Sequence, residues 1–316
     1  MCRDPPTTAD RVSQLKPDRI VLHCGLHKTG STYIQRNLQT NRELLLDHGV
    51  LYLGPNTLKK RCPELWRHMQ WGRWDRKTPK RLKSQTRSTL LELAGEQASA
   101  IHTIMLSFEA IFGTLRSGLA EPQRRKAPNK EHKPGLYRYA KSRTKRLMIG
   151  LEESLQHRSI AWTILFASRN PESFIRSCHT QLIKEGRHSP ATIHFDTFQQ
   201  TADFSYTDPK QLEQSLSKLG SKRNLNFVSM NYEQASDPNE PSTFLWNVLR
   251  QALPDQAGLL QQQLTENTDN DNLNKNTNPG LNERGLELAI QARPLFSRSE
   301  WKLFRKFLEK NFAKSR

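Results

Sequence analysis

The sequence predicts an α/β protein, a single three-layer domain with a mostly parallel sheet and helices on both faces. Two observations predict it. Short apolar runs of strand length alternate with longer stretches of helical apolar spacing. A glycine-bearing segment, Gly25 to Thr32, separates the first such run from the first helical stretch. In an open parallel sheet that position forms an anion-binding loop. No internal repeat points to a solenoid instead.

Each element follows in order. Residues 1–18 are polar and proline-bearing and read as a flexible tail, leaving 19–316 as one domain. Ile20, Val21 and Leu22 make a short buried strand that ends at Gly25. Residues 31–46 read as a helix with Ile34, Leu38 and Leu45 on one stripe and Gly49 at its C-terminal cap. Residues 50–53 are a second strand, closed by Gly54 and Pro55. Residues 59–87 form a basic, irregular insert carrying Trp66, Trp71 and Trp74 among Arg67, Arg73 and Arg76. Those side chains suit stacking on bases or sugars, and equally a helical packing cluster. Residues 90–100 read as helix and 101–106 as the third strand.

Residues 121–146 are a second basic insert, rich in proline, lysine and arginine. The clearest strand is 162–167, and Pro171 opens the helix after it, because proline lacks an N–H that the first helical turn does not need. Residues 226–230 are the fifth strand, and Phe244, Val248 and Leu249 mark a further helix. Residues 261–278 are rich in Asn and Gln without apolar period and read as a loop or lid. Helices over 283–291 and 299–312 close the chain.

Lysine and arginine total 49 against 31 aspartates and glutamates, a formal net charge of +18. That balance favours anionic partners, nucleic acid not excluded, or else a solvated basic face. Cys2, Cys24, Cys62 and Cys178 form no C-x-x-C pair, so no metal or redox motif is expected. A reducing compartment is the simplest setting for them. Residues 1–17 lack the apolar stretch of a signal peptide, and no apolar run approaches the ~18 residues that span a bilayer. The expectation is a cytoplasmic protein without a transmembrane segment.

The strongest chemical signal is His23-Cys24-Gly25-Leu26-His27-Lys28-Thr29-Gly30-Ser31-Thr32. Gly25 and Gly30 let the backbone turn tightly, so several N–H groups point at one phosphate. The following helix adds its positive dipole end, Lys28 a full charge, and Thr29, Ser31 and Thr32 hydroxyl groups. The glycines keep the spacing of a Walker A loop, but Ser31 stands where that loop has its lysine. The lysine lies two residues before Gly30 instead. A second signal is Arg169, just beyond a strand end, with Ser177 about two helical turns later. A guanidinium fork there suits a phosphate monoester.

The displaced lysine resembles the 5′-phosphosulfate loop of the sulfotransferases that use 3′-phosphoadenosine 5′-phosphosulfate (PAPS). The Arg169 and Ser177 pair is similar to that family's 3′-phosphate motif. Ser107-Phe108-Glu109 resembles its Ser-Ser-Glu segment, with Phe108 in place of the second serine, and Tyr232-Glu233 its Tyr-Glu segment. The C-terminal glycine-rich loop of many eukaryotic members is missing, and the two basic inserts match nothing in the family.

The resemblance implies a P-loop-like sulfotransferase fold and PAPS as donor, with no metal. It implies donor binding by Gly25, Lys28, Thr29, Gly30, Ser31, Thr32, Arg169 and Ser177, and catalysis by Lys28 and Glu109. His27 competes with Glu109 as the base, and His23 stands beside it as a donor or acceptor contact. The acceptor is open, with an anionic or carbohydrate molecule suggested by the inserts. Two rival readings stay open: a non-catalytic RNA- or polysaccharide-binding protein on the same fold, and a P-loop nucleotide kinase.

Overall fold

A computed structural model describes residues 15–72, 75–119, 135–237, 240, 242–267 and 280–314. Five strands form one all-parallel sheet: β1 Arg19–His23, β2 Val50–Leu53, β3 Thr103–Ser107, β4 Ala161–Ser168 and β5 Leu225–Asn231, in the order β2-β3-β1-β4-β5. The expected α/β class and parallel sheet are what the chain forms. Side chains alternate across each strand. Ile20, Leu22, Ile104, Leu106, Ile164 and Phe166 therefore enter one apolar layer. Val21, Met105, Leu165 and Ala167 enter the other.

Helices cover both faces. Ile34, Leu38 and Leu45 pack on the second face with Phe244, Leu245, Val248 and Leu249. Leu65, Met69, Leu147, Leu151, Phe174, Cys178 and Leu182 pack on the first. A third apolar cluster joins Ile183 to Leu281, Ala289, Trp301 and Leu308, which docks the C-terminal helices Glu283–Ala292 and Arg298–Asn311 on the helix Pro171–Lys184. Among the described residues no helix is long and apolar enough to cross a membrane.

Several elements differ from the sequence reading. The first insert is helical, not irregular: Pro55–Arg61, Pro63–Trp71, and a run from Thr78 to Ala94 that includes a π-helical turn at Leu82–Thr86. Pro55 and Pro63 open their helices, and Leu58, Leu65, Met69, Leu82 and Leu90 are buried. Dense lysine and arginine on the outer faces dilute that apolar period. Trp66 packs on the Phe108 ring with centroids 5.2 Å apart, Trp71 is exposed, and Arg73 and Trp74 lie outside the described residues.

The helix expected over 31–46 breaks at Asn41 into Ser31–Thr40 and Arg42–Asp47. The helix expected over 90–100 gives way at Gly95 to a 3₁₀ segment, Gly95–Ala100. In the second insert, Ala140–Leu155 is a helix and residues 120–134 lie outside the described ones. The expected lid begins as helix, Ala257–Asn267 with Leu260 and Leu264 buried, and 268–279 lie outside the described residues. Of the expected tail, Leu15 is fully buried, and Asp18 exchanges backbone hydrogen bonds with His102 and Ala161.

Gly49 links a helix end to two strands. Its φ is 70°, its carbonyl accepts from His102 and Thr103 N–H, and an added Cβ would lie 2.5 Å from the His102 ring and 2.8 Å from the Ala100 carbonyl oxygen. Gly49→Ala is expected to lower stability by roughly 1–3 kcal/mol. Chemical denaturation of both proteins measures it, and an unchanged midpoint would contradict the strain argument.

Candidate functional site

Strand order creates the site. From β1 the chain moves to β2 at one edge, and from β3 it crosses β1 to reach β4, then β5. The connections that leave β1 and β4 therefore diverge, and a crevice opens between their carboxyl ends. The loop after β1 is Gly25 to Thr32. The loop after β4 carries Arg169 and Asn170. Glu109 follows β3, on the other side of β1.

The loop is tightly wound. Thr29 donates from its backbone N–H and its hydroxyl to the Leu26 carbonyl, at 3.3 and 2.6 Å. Lys28 (φ 67°) and Gly30 (φ 72°) are left-handed. Lysine has a Cβ that penalises this conformation, so the surroundings hold it there. The helix Ser31–Thr40 starts with no side-chain cap, which leaves its first N–H groups for a ligand. Thr32 is exposed on that first turn.

Two buried polar atoms, Ser31 Oγ and His23 Nε2, have no hydrogen-bond partner among the described residues. They converge on Gly25: a Cβ there would lie 2.3 Å from Ser31 Oγ and 3.1 Å from His23 Nε2. Only glycine fits. His23 Nδ1 meets Ser107 Oγ at 2.7 Å, and burial pushes the His23 imidazole down to about 4, so the ring is neutral.

Three cations approach one another. Lys28 Nζ donates to Gln181 Oε1 at 3.2 Å, and burial, followed by the charge of Lys184, pushes its pKa down to about 8. Lys184 is buried and paired with Glu309 at 3.1 Å. Arg169 Nη1 donates to the Lys28 carbonyl at 2.9 Å, and its Nε donates to Ser173 Oγ at 3.1 Å and lies 3.6 Å from Glu233 Oε1. The guanidinium also lies over the Tyr232 ring, 5.6 Å from its centroid. Asn170 caps the helix Pro171–Lys184 by accepting from Glu172 and Ser173 N–H.

Ser177 is half-buried. Helical spacing puts it between Ser173 and Gln181 on one face, the face that touches Arg169 at one end and Lys28 at the other. Glu109 Oε2 accepts from Gln35 Nε2 at 2.7 Å. His27 bonds twice to the Tyr137 hydroxyl, from its backbone N–H and through Nδ1.

Lys28 and Arg169 thus share one crevice, with Ser177 on the helix that borders both. Tyr137, Gln181, Gln35 and Lys184 were not anticipated from sequence. For Gln181 a signal existed, its i+4 spacing from Ser177, whereas Tyr137 sits inside a basic insert with nothing to mark it. The arrangement has the parts of an oxyanion cradle: an uncapped helix start, a half-buried ammonium, a guanidinium and buried polar atoms without a partner among the described residues. Comparison of the chain with protein-family models, with curated proteins and with solved structures found no match.

The depressed Lys28 pKa sets a pH dependence. The folded value lies below the unfolded one, so this group opposes folding at neutral pH, and that penalty fades as pH rises above about 8. Anion affinity runs the other way, because it needs the ammonium. Binding of inorganic sulfate, whose charge is constant over this range, is expected to weaken about tenfold from about pH 7 to about pH 9. Lys28→Met should bind weakly at both. Calorimetry across that range checks it, and a parent protein with flat affinity would exclude Lys28 from the cradle.

Proposed function

We propose that this protein transfers a sulfuryl group from PAPS to a hydroxyl or amine of an acceptor, an anionic or carbohydrate molecule. The observation that carries the reading is the displaced lysine: Lys28, held left-handed in a loop between a strand and a helix, with Arg169 bonded to its carbonyl. The residues fit a phosphosulfate. Ser31 Oγ and His23 Nε2 lack partners among the described residues, and Gly25 leaves the space they face. Ser31, where a nucleoside triphosphatase has lysine, argues against phosphoryl transfer from ATP. Cys24, Cys62 and Cys178 are buried and form no disulfide among the described residues.

When bound, the donor supplies the sulfuryl group and a phosphate leaving group. Lys28 and the first N–H groups of the Ser31–Thr40 helix neutralise charge that grows on the leaving phosphate. Arg169 and Ser177 hold the 3′-phosphate and so fix the donor for in-line attack. Glu109 takes the acceptor proton, and Gln35 orients its carboxylate from one side. The deciding experiment is transfer of labelled sulfate from PAPS to a panel of acceptors. Tight binding of adenosine 3′,5′-bisphosphate without magnesium supports the reading, and magnesium-dependent ATP binding in its place would overturn it.

Arg169→Ala is expected to weaken adenosine 3′,5′-bisphosphate far more than adenosine 5′-phosphate, by roughly 1.5–3 kcal/mol. Equal losses for the two ligands in calorimetry would remove Arg169 from the 3′-phosphate.

Glu109→Gln keeps the shape and the Gln35 neighbour but removes the basicity. Turnover should fall about 100-fold or more with KM for the donor little changed. Near-normal kcat with a good acceptor would place the base elsewhere.

A further inference from the structure

His27 lies in the middle of the anion loop, and Tyr137 grips it twice. The His27 backbone N–H donates to the Tyr137 oxygen at 2.7 Å, and the ring Nδ1 lies 2.9 Å from the same oxygen. The two rings stack with centroids 5.7 Å apart at 27°. Tyr137 is itself well fixed. It is buried, its φ is 66°, and its ring meets Phe112 edge-on at 6.1 Å. A left-handed tyrosine is held by its surroundings, not by local preference.

Hydrogen-bond valence then decides the chemistry of His27. A phenol has one proton to give and lone pairs to accept with. The backbone N–H of His27 can only donate, so it takes a lone pair of the Tyr137 oxygen. Among the described residues the phenolic proton has one remaining partner, Nδ1 of His27. Burial pushes the phenol well above its ordinary value, so it keeps that proton. Nδ1 therefore accepts, and the neutral ring carries its own proton on Nε2.

Protonating Nδ1 as well would leave the buried phenolic proton without an acceptor. Desolvation holds the imidazole below its ordinary pKa in the same sense, and Lys28 adds to this while Glu109 and Glu185 oppose it. Nε2 makes no hydrogen bond among the described residues, which leaves its proton for a ligand.

We propose that Tyr137 is a positioning residue that fixes His27 as the Nε2–H tautomer. His27 is thereby a neutral hydrogen-bond donor to oxygen atoms of the anion seated in the loop, and not the base that takes the acceptor proton. The identity of that anion, a phosphosulfate, rests on the transferase reading; the tautomer does not. A neutral donor also suits a position beside Lys28, where a second cation would be repelled.

Nitrogen NMR of the ¹⁵N-histidine-labelled free protein near neutral pH tests the tautomer directly, with His27→Gln assigning the resonance. Nδ1 should resonate as an unprotonated, pyridine-type nitrogen and Nε2 as a protonated, pyrrole-type one. Tyr137→Phe should move both towards the averaged values of a mixture. A protonated Nδ1 in the parent protein overturns the proposal, whether or not the Tyr137 variant folds.

The donor role is read from binding of adenosine 3′,5′-bisphosphate. His27→Ala should weaken it about tenfold. His27→Gln, which returns an N–H but no basic nitrogen, should recover most of the loss. Equal weakness of the Gln and Ala variants overturns the donor role. If the parent protein does not bind the nucleotide, the transferase reading fails, and the NMR result still decides the tautomer.

Discussion

Arg169 Nη1 donates to the carbonyl of Lys28 across 2.9 Å, and the site depends on that contact. In a parallel sheet the loops at the carboxyl ends have no ladder to hold them. Here the loops after β1 and β4 leave in opposite directions, and a single guanidinium ties them together. The same side chain reaches Ser173 on the helix after β4 and faces Glu233 and Tyr232 after β5. Three of the five strand ends are thereby coupled through one planar, permanently charged group with five donors, which lysine cannot imitate. The left-handed backbone of Lys28 belongs to the same constraint, since its carbonyl is the atom that Arg169 takes.

Charge at this crevice is set from a distance. Lys184 is nearly inaccessible and its ammonium pairs with Glu309 on the last helix. Removing one partner of such a pair leaves an uncompensated buried charge, so the docking of that helix is an electrostatic as well as an apolar matter. Trp301 Nε1 donates to the Lys184 carbonyl, and Arg293 Nε donates to the Gly186 carbonyl, which fixes the end of the helix that presents Gln181 to Lys28. Lys184 in turn lowers the Lys28 pKa. The C-terminal helices thus hold a neighbour that tunes the loop.

Two histidines in the loop are handled differently, and the difference comes from what surrounds them. His23 is wholly buried beside Ser107, and its second nitrogen faces Gly25 with no partner. His27 is bound by a tyrosine that spends its only proton on one ring nitrogen. On the proposed transferase reading neither ring serves as a free base, and the proton falls to Glu109, whose carboxylate accepts from Gln35.

The sequence by itself determined the five strands, because four are short apolar runs and the fifth interleaves apolar and polar residues, and such signals need no distant partner. It also marked the loop between the first strand and the first helix, since the spacing of Gly25, Lys28, Gly30 and Ser31 is local. The placement of Arg169 one residue past a strand end was legible for the same reason. Tertiary structure alone decided the strand order, and with it the crevice. It also decided that the first basic insert is helical: its apolar positions are spaced for burial, but lysines and arginines on the outer faces mask the period. The contacts of Tyr137 and Gln181, which lie 110 and 153 residues from their partners in the loop, formed only when the chain closed on itself, although the spacing of Gln181 from Ser177 was legible. Local spacing records which way the backbone turns, whereas a hydrogen bond between distant segments leaves no trace in the composition of either one.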